Sequence, residues 1–566
     1  MSEQIPAVEA RIPAELHAEV RDAASFAAGE RVSQRLFEGD PSLWGEPGTP
    51  EVSDRLGWLS IAERMLADLD DVEAFAREIR DEGFTDVVLL GMGGSSLAPE
   101  VLRRSFGSSA GSPRLHVLDS TDAGRIHAIE RAIDLARTLF IVSSKSGGTI
   151  EPLSLYAHFR SLADEGRRFI AVTDPGSGLA ELAGEHGFRQ TFLGDADIGG
   201  RYSALSPFGI VPAALMGVDV RRLLEGAASA RRTDVRPGDG SADLPAQPAA
   251  VWLGTALSAL AKAGRDKLTF IISDTLPGLG LWLEQLVAES TGKKGTGILP
   301  VADEPLGQPS EYGGDRVFVH LTDLTSPDPA LDAGAAALAA AGHPLITMPT
   351  AGPGDLGRVF LLWELAVAVA GWGLQINPFD QPNVQQAKDA TKRVLDGYED
   401  EHRLPAVSDA EAGALRALLL DPRPPSYVAI MAYVEPSESF DAAAAELRRV
   451  IRAATGATTT FGYGPRFLHS TGQFHKGGPP TGHFLQLIHD AEEDVSIPGA
   501  PYTFTTLKNA QAIGDLQTLR ELGLPAERVR LRGEDVASAL RALTASLDAG
   551  RPADEGQNQD SRQSGG

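Results

Sequence analysis

The 566-residue chain contains no cysteine, which removes disulfides, thiolate catalysis and cysteine-ligated metals and gives no reason to invoke an oxidising compartment. It is also short of positive charge: 51 Lys and Arg stand against 77 Asp and Glu, for a formal net charge of −26. A surface of that sign repels polyanions, so nucleic acid is not an expected partner. The opening stretch MSEQIPAVEARIPAELHAEV has neither a basic head nor an apolar run, so no secretory leader is expected. The longest apolar run, residues 359–376, is interrupted by Glu364 and reads as a buried helix and not as a membrane span. These absences point to a cytoplasmic protein that engages neither nucleic acid nor membrane. An anionic small molecule remains a fitting partner only if backbone amides and a few Lys or Arg build a locally positive pocket.

The pattern that is present is α/β. From about residue 85, short apolar runs alternate with helical stretches, as in parallel strands joined by crossover helices. A first block, residues 81–232, offers strands at 86–90, 138–142, 168–172 and 190–193, with helices at 99–106 and 151–162. Residues 233–248, TDVRPGDGSADLPAQP, lack apolar periodicity and read as a linker. A second block, residues 249–398, offers strands at 267–273, 296–301, 316–321 and 344–348 and helices at 279–289 and 358–371. A C-terminal α/β region, residues 410–548, begins with a strand at 427–434, a helix at 440–455 and a strand at 458–463. Residues 1–80 read as a helical N-terminal segment, and residues 549–566 as a disordered tail with almost nothing to bury.

Two turns leave strands of the first block directly: GMGGSSLAPE (91–100) and SSKSGGTIEP (143–152). Glycine lets backbone amides approach a ligand, Ser and Thr add hydroxyl donors, and the following helix N-terminus adds partial positive charge, so both are candidate phosphate cradles. Neither fits the Walker or the dinucleotide fingerprint. Glu289, with Gln285 one turn earlier on the same face, is a candidate base, because burial would raise its basicity toward neutral pH. A surface glutamate at a helix end is the other reading. Gln381 and Lys388 are seven apart and share a face if a helix begins near Pro382; Lys388 could serve a ring oxygen or simply be solvated. Arg201, after two glycines, could project from a loop onto a developing oxyanion or make a structural ion pair. The four histidines His469, His475, His483 and His489 lack acidic partners at short metal-site spacings, so no metal is expected there and an acid–base role for one of them is the better reading.

Taken in order, GMGGSSLAPE, SSKSGGT, GGRYSALSPFG, ESTGK and NPFDQPNVQQAK resemble the motifs of the glucose-6-phosphate isomerase family, whose fold is a pair of doubly wound parallel-sheet phosphosugar-binding (SIS-like) domains. HSTGQFHKGG, further on, is similar to the isomerase half of transaldolase–isomerase fusions, with no room for a transaldolase barrel before the first block. The resemblance implies that Ser144, Lys145, Ser146 and Thr149 bind the sugar phosphate and that Gly94 and Ser95 line the substrate. It implies that Arg201 stabilises an enediolate, that Glu289 moves a proton between C2 and C1, that Gln285 and Gln381 bind substrate, and that Lys388 assists ring opening. The family draws a ring-opening histidine from a neighbouring subunit, which would make the enzyme a homodimer. Its motif is missing from the usual interval, where only His320 stands, and His475 is the expected substitute ahead of His469.

The reaction implied is a metal-independent interconversion of glucose 6-phosphate and fructose 6-phosphate that uses no cofactor. Isomerisation of another phosphosugar such as mannose 6-phosphate is the enzymatic alternative. The amino-sugar synthase of this architecture needs an N-terminal Cys nucleophile that this chain does not have. A phosphosugar sensor would keep the SSKSGGT turn but has no need of Glu289, Arg201 and Lys388 together.

Overall fold

The computed structural model describes residues 7–46, 48–237 and 247–548. The tail expected from residue 549 and most of the expected linker, residues 238–246, lie outside the described residues. Three sheets organise the chain, and the fold is α/β as expected. The first strand, β1 (Val8–Arg11), falls in the segment expected to be helical. Four residues alternating buried and exposed are too few to show a period, and what makes them a strand is the distant sheet edge they join.

The first sheet comprises β2 (Asp86–Gly91), β3 (Arg114–Leu118), β4 (Thr138–Ser143), β5 (Phe169–Thr173) and β6 (Gln190–Leu193), ordered β3-β2-β4-β5-β6 with every pair parallel. Strands β2 and β4 are buried along their whole length, as the continuous apolar runs of a two-sided parallel sheet require. β3 escapes the sequence reading because RLHVL has an exposed Arg114 and a half-buried His116 where an apolar run is expected.

The second sheet takes β7 (Val235–Pro237), β8 (Lys267–Ile272), β9 (Leu299–Val301), β10 (Arg316–Asp323) and β11 (Leu345–Thr350) in the order β7-β1-β11-β10-β8-β9. β1 runs antiparallel to β11 and parallel to β7. The start of the expected linker is therefore an edge strand, a position that tolerates Pro237. The third sheet, β12 (Tyr427–Tyr433), β13 (Thr458–Tyr463), β14 (Gly482–Ile488) and β15 (Ala526–Arg530), is parallel in the order β13-β12-β14-β15.

Among the described residues one helix, Gly352–Leu374, is long and apolar enough to cross a membrane, but most of it is buried in the protein. Burial alone pushes the carboxyl of Glu364 on this helix well above the usual carboxylate range.

The third sheet region packs on both of the others. Phe504, Leu507, Ala510 and Ile513 of the helix Phe504–Glu521 join Val394 and Leu395 in covering the first sheet, and Phe467, Phe474 and Tyr427 meet Ala288 and Leu299 of the second block. A Cβ on Gly514 would stand 2.9 Å from the Thr391 nitrogen, so glycine permits this helix to press directly on the helix Pro382–Glu401.

Candidate active site

The two glycine–serine turns leave adjacent parallel strands, β2 and β4, at their C-terminal ends, where sheets of this kind open onto ligands. They lie side by side: Ser143 Oγ donates to the Ser95 carbonyl at 3.2 Å. A Cβ on Gly94 would stand 2.0 Å from the Gly200 carbonyl, so only glycine allows the first turn to touch the backbone just before Arg201. Gly93, at φ +56°, brings the same turn against Gln285, whose Nε2 would be 2.9 Å from an added Cβ. The sequence reading makes Gly94 and Ser95 lining residues. The structure gives Gly94 the further task of seating the arginine loop.

The second turn has the makings of an anion cradle. It runs into the helix Ile150–Leu162, whose N-terminus carries no side-chain cap from Thr149. Ser144 Oγ is 3.3 Å from Thr149 Oγ1 and accepts from the Gly147 amide, and Ser146 Oγ accepts from the Gly148 amide. Lys145 departs from the expected arrangement. Its ammonium pairs with Asp174 and donates to the Asp195 carbonyl at 3.2 Å, which ties it beside β5 and β6 rather than in the cradle.

Glu289, on the helix Leu279–Thr291, is buried, with Arg201 Nη1 3.5 Å and Gln285 Nε2 3.4 Å from Oε2. Burial raises its carboxyl above the usual range, and the charges of Arg201 and His469 only partly offset it. Arg201 is 2 % exposed and held rigidly: Nε donates to Ser290 Oγ at 2.9 Å, Nη1 to Gln381 Oε1 at 2.7 Å, and Nη2 to the Pro378 and Asp380 carbonyls at 2.6 and 2.9 Å. Glu289, Gln285, Arg201 and Gln381 thus converge from two blocks. A carboxylate of raised basicity beside a fixed guanidinium can take a proton from carbon while the cation steadies the charge left on oxygen.

The histidines sort differently from expectation. His475 is buried, stacks on Tyr427, shares a 2.9 Å hydrogen bond with its hydroxyl, and is pushed down to about 3 by burial and then Lys476. It is a neutral core residue under the third sheet. His320 is buried on β10 against Asp332, with its pKa lowered by burial. The histidine at the site is His469, on the turn Arg466–His469: Nε2 lies 2.9 Å from Glu151 Oε1, and its carbonyl accepts from Gln285 at 2.9 Å. One residue of the third region therefore touches the helix after the SSKSGGT turn and the helix of Glu289. Lys388 is exposed on its helix, yet close enough to lower the pKa of Glu151.

Three residues of the site have no place in the sequence reading. Glu151 follows the cradle but reads there as a helix start. Ser290 carries Arg201. Lys293, buried, donates to the Asn377 carbonyl at 2.8 Å and to Asp380 Oδ1 at 2.6 Å, fixing the turn that presents Gln381; burial and then Arg201 push it down to about 7. The signal for Ser290 and Lys293 is their place in the quoted ESTGK.

Residues 72–300 match the family model for phosphoglucose isomerase. A glucose-6-phosphate isomerase of Rubrobacter xylanophilus is 30% identical over 416 residues, an alignment covering 64% of this chain and 94% of the relative. One of Thermus thermophilus is 30% identical over 407 residues, covering 62% and 92%. Among solved structures, a hypothetical protein of Thermus thermophilus aligns with a TM-score of 0.55 at 26% identity, over 68% of this chain and 99% of that one.

Proposed function

Given that the chain belongs to the glucose-6-phosphate isomerase family, we propose that it interconverts glucose 6-phosphate and fructose 6-phosphate by a proton transfer that Glu289 carries. The observation behind this assignment is the buried Glu289 carboxylate, raised in basicity and 3.5 Å from an immobilised Arg201. The sugar phosphate binds the turn of Ser144, Ser146 and Thr149, which holds the chain of carbons in register. His469 serves as the acid that protonates the ring oxygen as the C1–O5 bond breaks, while the proton on the C1 hydroxyl leaves to solvent. Lys388 assists from the neighbouring helix. Glu289 then removes the C2 proton, the electron pair forms the C1–C2 double bond of the enediolate, and Arg201 faces the oxygen that gains charge. A proton then passes from the C2 hydroxyl to O1, Glu289 returns its proton to C1, and the electron pair left on O2 closes the C2 carbonyl, which completes the ketose. No step needs a cofactor.

The assignment of His469 replaces the sequence expectation of His475, because an imidazole stacked in a core and pushed to about 3 is a poor proton donor at neutral pH. The charged substrate, the cysteine-free chain and the burial of its one long apolar helix among the described residues support a cytoplasmic enzyme.

The test is a coupled assay of the purified protein with fructose 6-phosphate, with and without chelator. Turnover should appear and persist in chelator, and Glu289→Gln should lower it by at least about a hundredfold, the lower range for a general base, while sugar-phosphate binding is retained. Normal turnover in Glu289→Gln would remove that residue from its role.

A further inference from the structure

The Glu151–His469 pair is held by a residue that the proposed reaction does not use. Gln511, on the helix Phe504–Glu521, is buried and donates from Nε2 to Glu151 Oε1 at 2.7 Å, the oxygen that also meets His469 Nε2. Its own Oε1 accepts from the Thr121 hydroxyl at 2.8 Å. The carboxylate end fixes the amide, since a flipped side chain would set its oxygen against Glu151, and the Thr121 hydroxyl then donates to the oxygen that is left. Thr121 is fully buried in the loop after β3, and that loop reaches the third region twice more, through Asp119 to Arg466 at 2.7 Å and through Asp122 to Lys508 at 2.9 Å.

We infer that Gln511, supported by Thr121, is a positioning residue for the ring-opening histidine: it pins the Glu151 carboxylate in the one orientation that holds His469 by Nε2 and leaves Nδ1 for the substrate. The inference rests on the isomerase reading of the site and deepens it. Three groups bear on the Glu151 charge from the elements around it: His469, Lys388 on the helix Pro382–Glu401, and Tyr433 on β12. Burial pushes the Glu151 carboxyl up, but His469 and then Lys388 outweigh it, so it stays below the usual range. Removing the Gln511 donor takes away one stabiliser of the anion. Glu151 then protonates at higher pH, and the acid limb of the rate profile, whose midpoint Glu289 sets, becomes steeper on its acid side.

The experiment compares kcat, KM and the pH profile of kcat/KM on glucose 6-phosphate for the full chain and for Gln511→Leu, Gln511→Glu, Thr121→Val and Thr121→Ser. Gln511→Leu should lose about tenfold in kcat, the rate equivalent of one hydrogen bond to a charged group. KM should stay within about twofold, since the phosphate turn is untouched. Its acid limb should steepen below the midpoint that Glu289 sets. Gln511→Glu, which sets a second carboxylate against the first, should fall further; Thr121→Val should lose a smaller factor in the same direction; and Thr121→Ser, which keeps the hydroxyl, should restore the parent profile. Thr121→Val is nearly isosteric, so it carries the test if Gln511→Leu fails to fold. An unmoved pH profile with kcat unchanged in the folded variants overturns the inference, as does a loss of kcat in Thr121→Ser equal to that in Thr121→Val. An inactive parent chain would instead overturn the isomerase reading.

Discussion

Two buried glutamates share the helix Leu279–Thr291, and their surroundings separate them. Glu284 is pushed up to about 8 by burial and then Asp303; its nearest bond is from the Ala302 amide at 3.3 Å, and it lines a cleft of about 780 Å³ on another face of the helix. Five residues turn a helix by about 140°, so the two carboxyls cannot serve one substrate. Glu289 has the Arg201 guanidinium 3.5 Å from its carboxyl, whereas Arg448, the cation bearing on Glu284, is taken up by the Ala302, Asp303 and Thr459 carbonyls, and a base needs such a cation to stabilise the enediolate it creates. Glu284→Gln should therefore keep turnover within a few-fold of the parent while Glu289→Gln loses it; equal losses in the same assay would mean that the helix, not the carboxylate, is what matters. The base must be ionised to act, and burial sets its pKa above the ordinary carboxylate value of about 4.3, so kcat/KM should fall as pH drops through a midpoint above that value. A midpoint in the ordinary glutamate range would contradict the buried environment. At the phosphate turn, Ser144→Ala with Thr149→Ala should weaken substrate binding and, in parallel, inhibition by free phosphate. Unchanged inhibition would dispose of the cradle.

At the scale of elements, the turn Arg466–His469 matters most, because the residues that aim it at the site, Asp119 and Glu151, are distant in sequence. Arg466 makes a bidentate bond to Asp119, both contacts at 2.7 Å, and Asp119 is 3 % exposed. Arg466→Met leaves that carboxylate buried without its partner, a change that costs ~3–5 kcal/mol in comparable pairs. Because the same turn carries His469, kcat should fall along with the melting temperature. A variant that loses stability while keeping full kcat at a temperature where it is folded would show that the latch and the histidine are independent. This element also marks where sequence legibility ends. The strands β2 and β4 and the helix of Glu289 are legible because local periodicity and glycine–serine turns encode them. Arg201, Glu289, Gln285 and Gln381 are legible through motifs on the elements that carry them. Choosing His469 over His475 depends on which of two residues six apart faces another sheet, and this is decided by Tyr427 stacking on one and Glu151 meeting the other. The partners of β1, β7 and Lys145 are distant in sequence in the same way: β11 for β1, β1 for β7, and Asp174 for the lysine. No local pattern announces such pairings.

For the molecule as a whole, the origin of His469 bears on assembly. The family resemblance brings a histidine across a subunit interface, whereas here the third sheet region of the same chain delivers one to the cleft. Asp122–Lys508 at 2.9 Å, Asp119–Arg466, Thr121–Gln511, and Gln473 Nε2 donating to the Gly292 carbonyl at 2.9 Å all hold that region against the first two blocks. These buried polar contacts surround the apolar packing of Phe504, Leu507 and Ile513 on the first sheet, so docking is specified in orientation as well as driven by burial. Every residue that the proposed reaction uses then belongs to one chain, so that proposal calls for no second copy at the site. Specific activity should therefore stay constant as the enzyme is diluted through the range where a dimer would dissociate, with the mass in solution measured alongside. A fall in specific activity that tracks the loss of a dimer would show that a second copy supplies part of the site after all. In that case His469→Ala, the variant that separates the two arrangements, should leave ring opening nearly intact instead of abolishing it.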